Sequence, residues 1–323
     1  MTMHTHKPKN TPQFIPLSFI QELLRHSPRQ LEYERETAQL IKETLRAYGM
    51  EFSVQRFATK IPRERHAELF ADGKSIPCKS TALVSGVISG KDHLLSSLIS
   101  SQENLYTSNI NSNPRCSTIS RSNYYFAPAV AVDTAGLITV LRAQRVTGKV
   151  AVDAVRWTSE NILVGNRTNP RTTVFAHYDS IESGAIDNAS GVAVVMDAVV
   201  HNSQTLEDTL YVFSGNEELS YDQPVYWGHG FRAFERVHLS LMRRVRSIIV
   251  VDCVGYGRAA FSQDPHLVPL AFPITNVHTW QKKIRILSAD VDALMPVYHS
   301  AIDDGRMITA AYLRQAHDML LNA

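Results

Sequence analysis

The sequence predicts an α/β protein with a mostly parallel or mixed central sheet flanked by helices, and a smaller β-rich inserted domain. Two observations carry this. From Asn161 onward, apolar runs of strand length alternate with helical patterns. These runs are hydrophobic throughout rather than at every second residue, which suits strands buried on both faces. Between residues 51 and 157 the pattern gives way to short alternating runs, prolines and a Ser/Asn-rich stretch, Ser96–Ser122, and that reads as a separate β-rich unit.

In chain order, Leu17–Arg25 and Tyr33–Tyr48 read as helices. In the second, Ala38, Ile41, Leu45 and Tyr48 recur at helical spacing, and Gly49 supplies a stop. Short strands are expected at Glu51–Phe57 and Lys149–Trp157, with a strand at Pro128–Val132 leading into a helix over Thr134–Ala143. Strands of the α/β part are expected at Ile162–Val164, Thr172–Ala176, Thr209–Ser214, Ser247–Val251 and Ile284–Leu287. Helices are expected at Ser190–Val200, Gly230–Val237 and Ala310–Asn322. The division that follows is one domain from 14–50 and 158–323, interrupted by a domain at 51–157.

Composition narrows the function classes. Of the 323 residues 44% are hydrophobic and 20% charged, enough apolar material for a sizeable core. The net charge of +2 argues against a partner bound by bulk charge, nucleic acid or membrane surface. No run approaches the roughly 18 apolar residues that span a bilayer. The polar start, MTMHTHKPKNTPQ, has no apolar core of a secretory signal. Three cysteines, Cys78, Cys116 and Cys253, cannot all pair and show no CxxC spacing, which suits a reducing interior. A cytoplasmic protein is the expectation.

The chemistry lies where the apolar runs end. Val174–Ala176 runs into His177-Tyr178-Asp179, and Leu210–Ser214 passes through Gly215-Asn216 into Glu217-Glu218. Ile248–Val251 stops at Asp252, and Pro296-Val297-Tyr298 stops at His299. Ligands of open α/β sheets collect outside the carboxyl ends of the strands, so these groups should converge. The loop Gly184–Gly191 adds Asp187 just before a helix. Without a cation such crowded carboxylates repel, and some must protonate. Divalent ions resolve this, and zinc accepts both imidazole nitrogen and carboxylate oxygen. Three ligating carboxylates are consistent with two such ions.

The ordered set HxD, GAxDNxSG, EE, a strand-end Asp, and YH with an Asp four residues later resembles the M28 family of zinc aminopeptidases. It is carried by His177/Asp179, Gly184–Gly191, Glu217-Glu218, Asp252, and Tyr298-His299 with Asp303. The resemblance implies a zinc-peptidase-like fold acting on peptide substrates with two Zn2+, for which Co2+ or Mn2+ could substitute. It implies that Asp187 bridges the ions, that His177 and Asp252 complete one shell, and that Glu218 and His299 complete the other. Glu217 is then the general base, and Asp179 supports catalysis by orienting the His177 ring. Asp303 has a related part for His299, and a cis peptide joins Asp187 to Asn188. In the middle third, PAVAVDTAGLITVL and GKVAVDAVRWTSENILVGN are similar to parts of the protease-associated (PA) domain that several such enzymes insert. The stretch Leu287–Pro296 is short and lacks the SDH-type element of many relatives, which bears on the shape of the substrate pocket.

Plainer readings stand beside these. Alone, Glu217-Glu218 is an ordinary solvated doublet, and His177 a core or loop histidine. Gly184 and Gly191 suit close turn packing, since no phosphate-binding glycine pattern is present. Strand alternation sends Cys253 to the face opposite Asp252, as a core thiol. His229 belongs to a loop at a helix start, and Arg243-Arg244-Val245-Arg246 to a solvated helix end. Two other functions remain open. A glutaminyl-cyclase-like acyltransferase shares the scaffold but uses one zinc, and the DNASG continuation favours the peptidase. The other is a non-catalytic binding protein that retains the fold. The terminus attacked, the preferred side chain and the oligomeric state are not set by the sequence.

Overall fold

A computed structural model describes residues 13–98 and 104–323. The polar start read above lies almost wholly outside these residues, as does the centre of the Ser/Asn-rich stretch at 99–103. Helices α1 (Pro16–Leu24) and α2 (Glu32–Ala47) precede the 20-residue strand β1 (Phe52–Ala71). Short strands follow: β2 (Lys74–Ser75), β3 (Lys79–Ser80), β4 (Gly86–Ser89), β5 (Leu94–Ser96), β6 (Asn109–Ser112) and β7 (Ala129–Ala131). Helix α3 (Thr134–Arg142) leads into β8 (Val146–Gly165), also of 20 residues.

The remainder alternates as expected. It comprises β9 (Thr172–His177), α4 (Gly191–His201), β10 (Thr209–Ser214), α5 (His229–Arg244) and β11 (Ser247–Val251). After these come β12 (Ala260–Ser262), α6 (Leu267–Ala271), α7 (Val277–Trp280), β13 (Ile284–Ser288), α8 (Val291–Leu294) and α9 (Ala310–Leu321). No helix among the described residues is long and apolar enough to cross a membrane.

The main sheet runs β12-β13-β11-β9-β10-β8-β1-β2, with β4 also paired to β8. Its central four strands, β13, β11, β9 and β10, are parallel, and the outer pairings are antiparallel. The sheet is therefore mixed, with a parallel centre. That centre follows from the residues: Val174 and Ala176 of β9 enter one core cluster and Phe175 the other. Ile249 and Val251 of β11 are likewise separated from Ile248 and Val250. Apolar residues at every position feed both faces. The first core includes residues of α1, α2, α4 and α9; the second includes residues of α5, α6 and α7.

The strands expected at Lys149–Trp157 and Ile162–Val164 are one strand, β8. It pairs with β1 from Phe52↔Val164 to Ala71↔Val146, with one irregularity between Glu64 and His66. Pro62 is accommodated because β1 is an edge strand over most of its length, where a missing N–H costs no ladder bond. Strands β3, β7, β6 and β5 form a second, four-stranded sheet. A small apolar cluster, including Leu83, Tyr124, Ile181, Leu219 and Tyr226, joins the middle of the chain to the loops beyond β9 and β10.

The chain passes from β9 to β10 on one side and then crosses to β11 on the other. This reversal sets a crevice at the carboxyl ends of the central strands. His177 ends β9, Glu217 and Glu218 follow β10, and Asp252 follows β11.

Candidate metal centre

Six of the seven groups expected at the sheet rim line one cavity of about 270 Å³, His177, Asp187, Glu217, Glu218, Asp252 and His299, while Asp179 is buried behind the His177 ring. A larger groove, about 1020 Å³, lies along α2 and the β1/β8 ribbon and contains none of them. The volume is elsewhere; the convergent chemistry is in the smaller cavity.

Asp187 is the centre of the arrangement. Its Oδ1 lies 3.2 Å from His177 Nε2 and its Oδ2 lies 3.3 Å from His299 Nε2. His177 Nε2 is also 3.5 Å from Asp252 Oδ1, and His299 Nε2 is 2.9 Å from Glu218 Oε2. The cluster thus has two lobes that share one carboxylate. His177 Nδ1, on the opposite side of the ring, faces Asp179 Oδ1 at 3.6 Å. Asp179 itself accepts the backbone N–H groups of Glu217 and Glu218, each at 2.9 Å.

The loop that presents Asp187 is tightly built. Gly184 has φ +63°, and a Cβ there would meet the Asp187 carbonyl at 2.5 Å, so a side chain is excluded. The Asp187-Asn188 peptide is cis, as the family resemblance implied. Asn188 donates to the Val251 carbonyl at 2.8 Å, which ties this loop to the end of β11. Three non-glycine residues with positive φ surround the cluster: Asn216 (51°), Cys253 (53°) and His299 (48°). Such conformations cost energy and concentrate where side chains must be aimed.

Asp303 does not orient His299. Its carboxylate accepts the N–H groups of Ile186 at 2.9 Å and Asp187 at 3.2 Å, and so holds the loop of the shared carboxylate. His299 Nδ1 faces the Arg121 carbonyl at 3.3 Å instead. His229 begins α5, with Nδ1 2.5 Å from Asp222 Oδ2 and Nε2 3.1 Å from the Ala58 carbonyl. It fastens the helix start and does not line the cavity. Cys253 departs from the alternation rule: it lines the cavity, with Sγ 3.2 Å from Asp252 Oδ1.

Arg29 is the residue that pattern reading missed. It is fully buried and donates to the carbonyls of Tyr178 (2.6 Å), Ser183 (3.1 Å) and Gly184 (2.7 Å), and to the Ser27 hydroxyl (3.1 Å). It pins the whole connection between His177 and Asp187. Burial lowers its pKa to about 10 against the pull of Asp179, Asp303, Glu218 and Asp187. Nothing in the local sequence Ser27-Pro28-Arg29-Gln30 signals this role.

The electrostatics of the bare cluster are those of crowded like charges. Burial, reinforced by Glu218, Asp179 and Asp252 against the pull of His177, pushes Glu217 well above the carboxylate range. Burial also raises Glu218 to about 7, with His299 opposing. Asp187 moves the other way, because its hydrogen bonds to the two histidines outweigh its burial. Burial would lower His299, yet Glu218 and Asp187 lift it to about 10. His177 is likewise lifted by Asp179, Asp187 and Asp252. Glu218 Oε1 is buried with no hydrogen-bond partner, and His299 Nε2 faces only the carboxylates of Glu218 and Asp187. An orphaned oxygen among buried carboxylates fits a divalent cation, and donor atoms of His177, Asp187 and Glu218 lie within 4.8 Å of one another.

Two histidines and four carboxylates at the carboxyl ends of a parallel sheet centre form a site suited to divalent cations. More specifically, residues 161–272 match the model of Peptidase family M28, which bears out the resemblance read from the motifs. The comparison with curated proteins finds no match. Among solved structures, the chain is similar to BSAP, a zinc aminopeptidase from Bacillus subtilis. The TM-score is 0.67 at 16% identity, covering 97% of this chain and 94% of that one. It is similar to an aminopeptidase from Aneurinibacillus sp. strain AM-1, with TM-score 0.59, 17% identity and coverage of 94% and 91%. A glutaminyl cyclase from Porphyromonas gingivalis matches at TM-score 0.51 and 15% identity, covering 95% of each chain. At these identities the likeness shows the fold.

Proposed function

We propose that this protein is a metallo-aminopeptidase that removes N-terminal residues from peptides at a dinuclear zinc site. The observation that carries this reading is the Asp187 carboxylate, whose two oxygens face two different histidines. Asp187 would be shared between the two ions, with His177 and Asp252 holding one and Glu218 and His299 the other. Two divalent cations in such a site polarise a scissile carbonyl and make a water more acidic, with Co2+ or Mn2+ able to replace zinc. Glu217, beside the ligands and lining the same cavity, takes the proton of the attacking water on its carboxylate and passes it to the departing amine. Asp179 keeps the His177 ring and the Glu217–Glu218 backbone in place.

In this reading residues 14–50 and 158–323 form the peptidase unit. Residues 51–157 form a PA-like insertion that contributes Ser97, Leu98, Ser122 and Asn123 to the cavity wall. A cytoplasmic site of action is supported by three free cysteines.

The cyclase matches favour a second reading, a glutaminyl-cyclase-like acyltransferase with one zinc. One experiment separates the two: metal analysis of the purified protein with assays on an aminoacyl anilide and on a glutaminyl peptide. Two ions with hydrolysis support the aminopeptidase. One ion with cyclisation supports the alternative. Bound metal with neither activity points to a binding protein.

A further inference from the structure

Resting on the metal-site reading above, we propose that Cys253 is an additional protein ligand, supplying a thiolate to the cation on the His177–Asp252 side of the centre.

The argument begins with the backbone. If β11 continued its alternation, Asp252 and Cys253 would point to opposite faces. The strand instead ends at Val251, and Cys253 adopts φ 53°, a conformation that non-glycine residues seldom take. Its N–H turns toward Asn188 Oδ1 at 3.3 Å, the same side chain whose amide group grips the Val251 carbonyl. The turn brings Sγ to the carboxylate side, 3.2 Å from Asp252 Oδ1. Donor atoms of Asp187, Asp252 and Cys253 then lie within 4.8 Å of one another.

A second observation ties this cluster to a ligand. Glu218 Oε1, on a buried side chain lining the same cavity, has no hydrogen-bond partner. A buried, unpartnered carboxylate oxygen beside the shared Asp187 leaves the enclosure short of a positive partner. His177 Nε2 lies 3.2 Å from Asp187 Oδ1 and 3.5 Å from Asp252 Oδ1, so His177, Asp187, Asp252 and Cys253 offer one nitrogen, two oxygens and one sulfur, donor types that zinc accepts. Binding would release one proton: the thiol S–H bond breaks, the sulfur lone pair forms the bond to the cation, and the proton passes to solvent. A sulfur donor also biases the site toward softer cations such as Cd2+ over Mn2+.

The test uses the full-length protein stripped of metal and titrated with Co2+, read by absorption spectroscopy. The expected result is visible ligand-field bands together with a near-ultraviolet sulfur-to-cobalt charge-transfer band. That band should vanish in Cys253→Ser, whose ligand-field bands remain, and persist in Cys78→Ser and Cys116→Ser. Cd2+ should also lose its advantage over Mn2+ in the Cys253→Ser protein. Ligand-field bands in the wild-type protein without a charge-transfer band would overturn the thiolate while leaving the metal centre intact. Failure to bind Co2+ at all would overturn the centre itself. Because the wild-type spectrum alone decides the first point, the test survives a variant that fails to fold.

Discussion

Oδ1 of Asp179 accepts the backbone N–H of Glu217 at 2.9 Å, while the same oxygen faces His177 Nδ1 at 3.6 Å. One carboxylate thereby couples the end of β9 to the loop after β10, and its other oxygen holds the N–H of Glu218. Asp179→Asn would turn an NH2 group toward N–H donors, or lose one of the contacts. We expect zinc affinity to fall about 10–100-fold, the range for groups that orient metal ligands. Chelator competition measures this directly, and an unchanged affinity would remove Asp179 from the role given to it.

Glu217 and Asp187 should separate chemistry from metal binding. Glu217→Gln keeps the shape and lacks a group able to take a proton, so both ions stay while hydrolysis falls roughly 10²–10⁴-fold. Asp187→Asn loses the charge shared by the two lobes and should release metal. Metal content and kcat measured on both variants check the pair. Near wild-type turnover by Glu217→Gln would make another residue the base.

How far these residues could be read from the sequence depended on how local their causes are. The parallel strands were legible because Val174–Ala176 and Ile248–Val251 are apolar at every position, a pattern set by burial on two faces. The residues that end those strands were legible for the same reason. The full length of β1 and β8 was not: the run Arg63-Glu64-Arg65-His66 looks like a loop, and only pairing with the partner strand keeps it extended. Cys253 was assigned to the wrong side because alternation fails at a left-handed residue, which nothing in its neighbours announces. Asp303 was expected beside His299, yet its partners are the amides of the loop holding Asp187. Arg29 acts on carbonyls about 150 positions away, a relation that only the fold creates.

Arg29 sets a stability prediction. Its charged donors satisfy three loop carbonyls in a fully buried position. Arg29→Met leaves those carbonyls without partners and should cost on the order of 3–5 kcal/mol. Urea unfolding of the metal-free protein measures it, which keeps lost metal affinity out of the comparison. A midpoint equal to that of the wild type would show that the loop finds other partners.

Glu34 predicts a pH dependence away from the metal ligands. It is buried on α2, accepts hydrogen bonds from Ser159 Oγ and Trp157 Nε1, and stands near Asp179 and Glu160. Burial, with help from Asp179 and opposed by those hydrogen bonds, raises its pKa from 4.5 to about 8. Lys42 faces Glu160 rather than Glu34, so no cation among the described residues offsets the shift directly. Between these two pKa values the folded protein holds a proton that the unfolded chain has lost. Stability therefore falls as pH rises through this window, and falls no further above it. Glu34→Gln keeps an acceptor for Trp157 and a polar partner for Ser159, but has no proton to lose. Relative to the wild type it should gain stability on the order of a few kcal/mol between pH 5 and pH 9. Urea midpoints of both proteins across that range provide the check, since other titrating groups cancel in the difference. Parallel curves would mean that Glu34 ionises as readily in the fold as outside it.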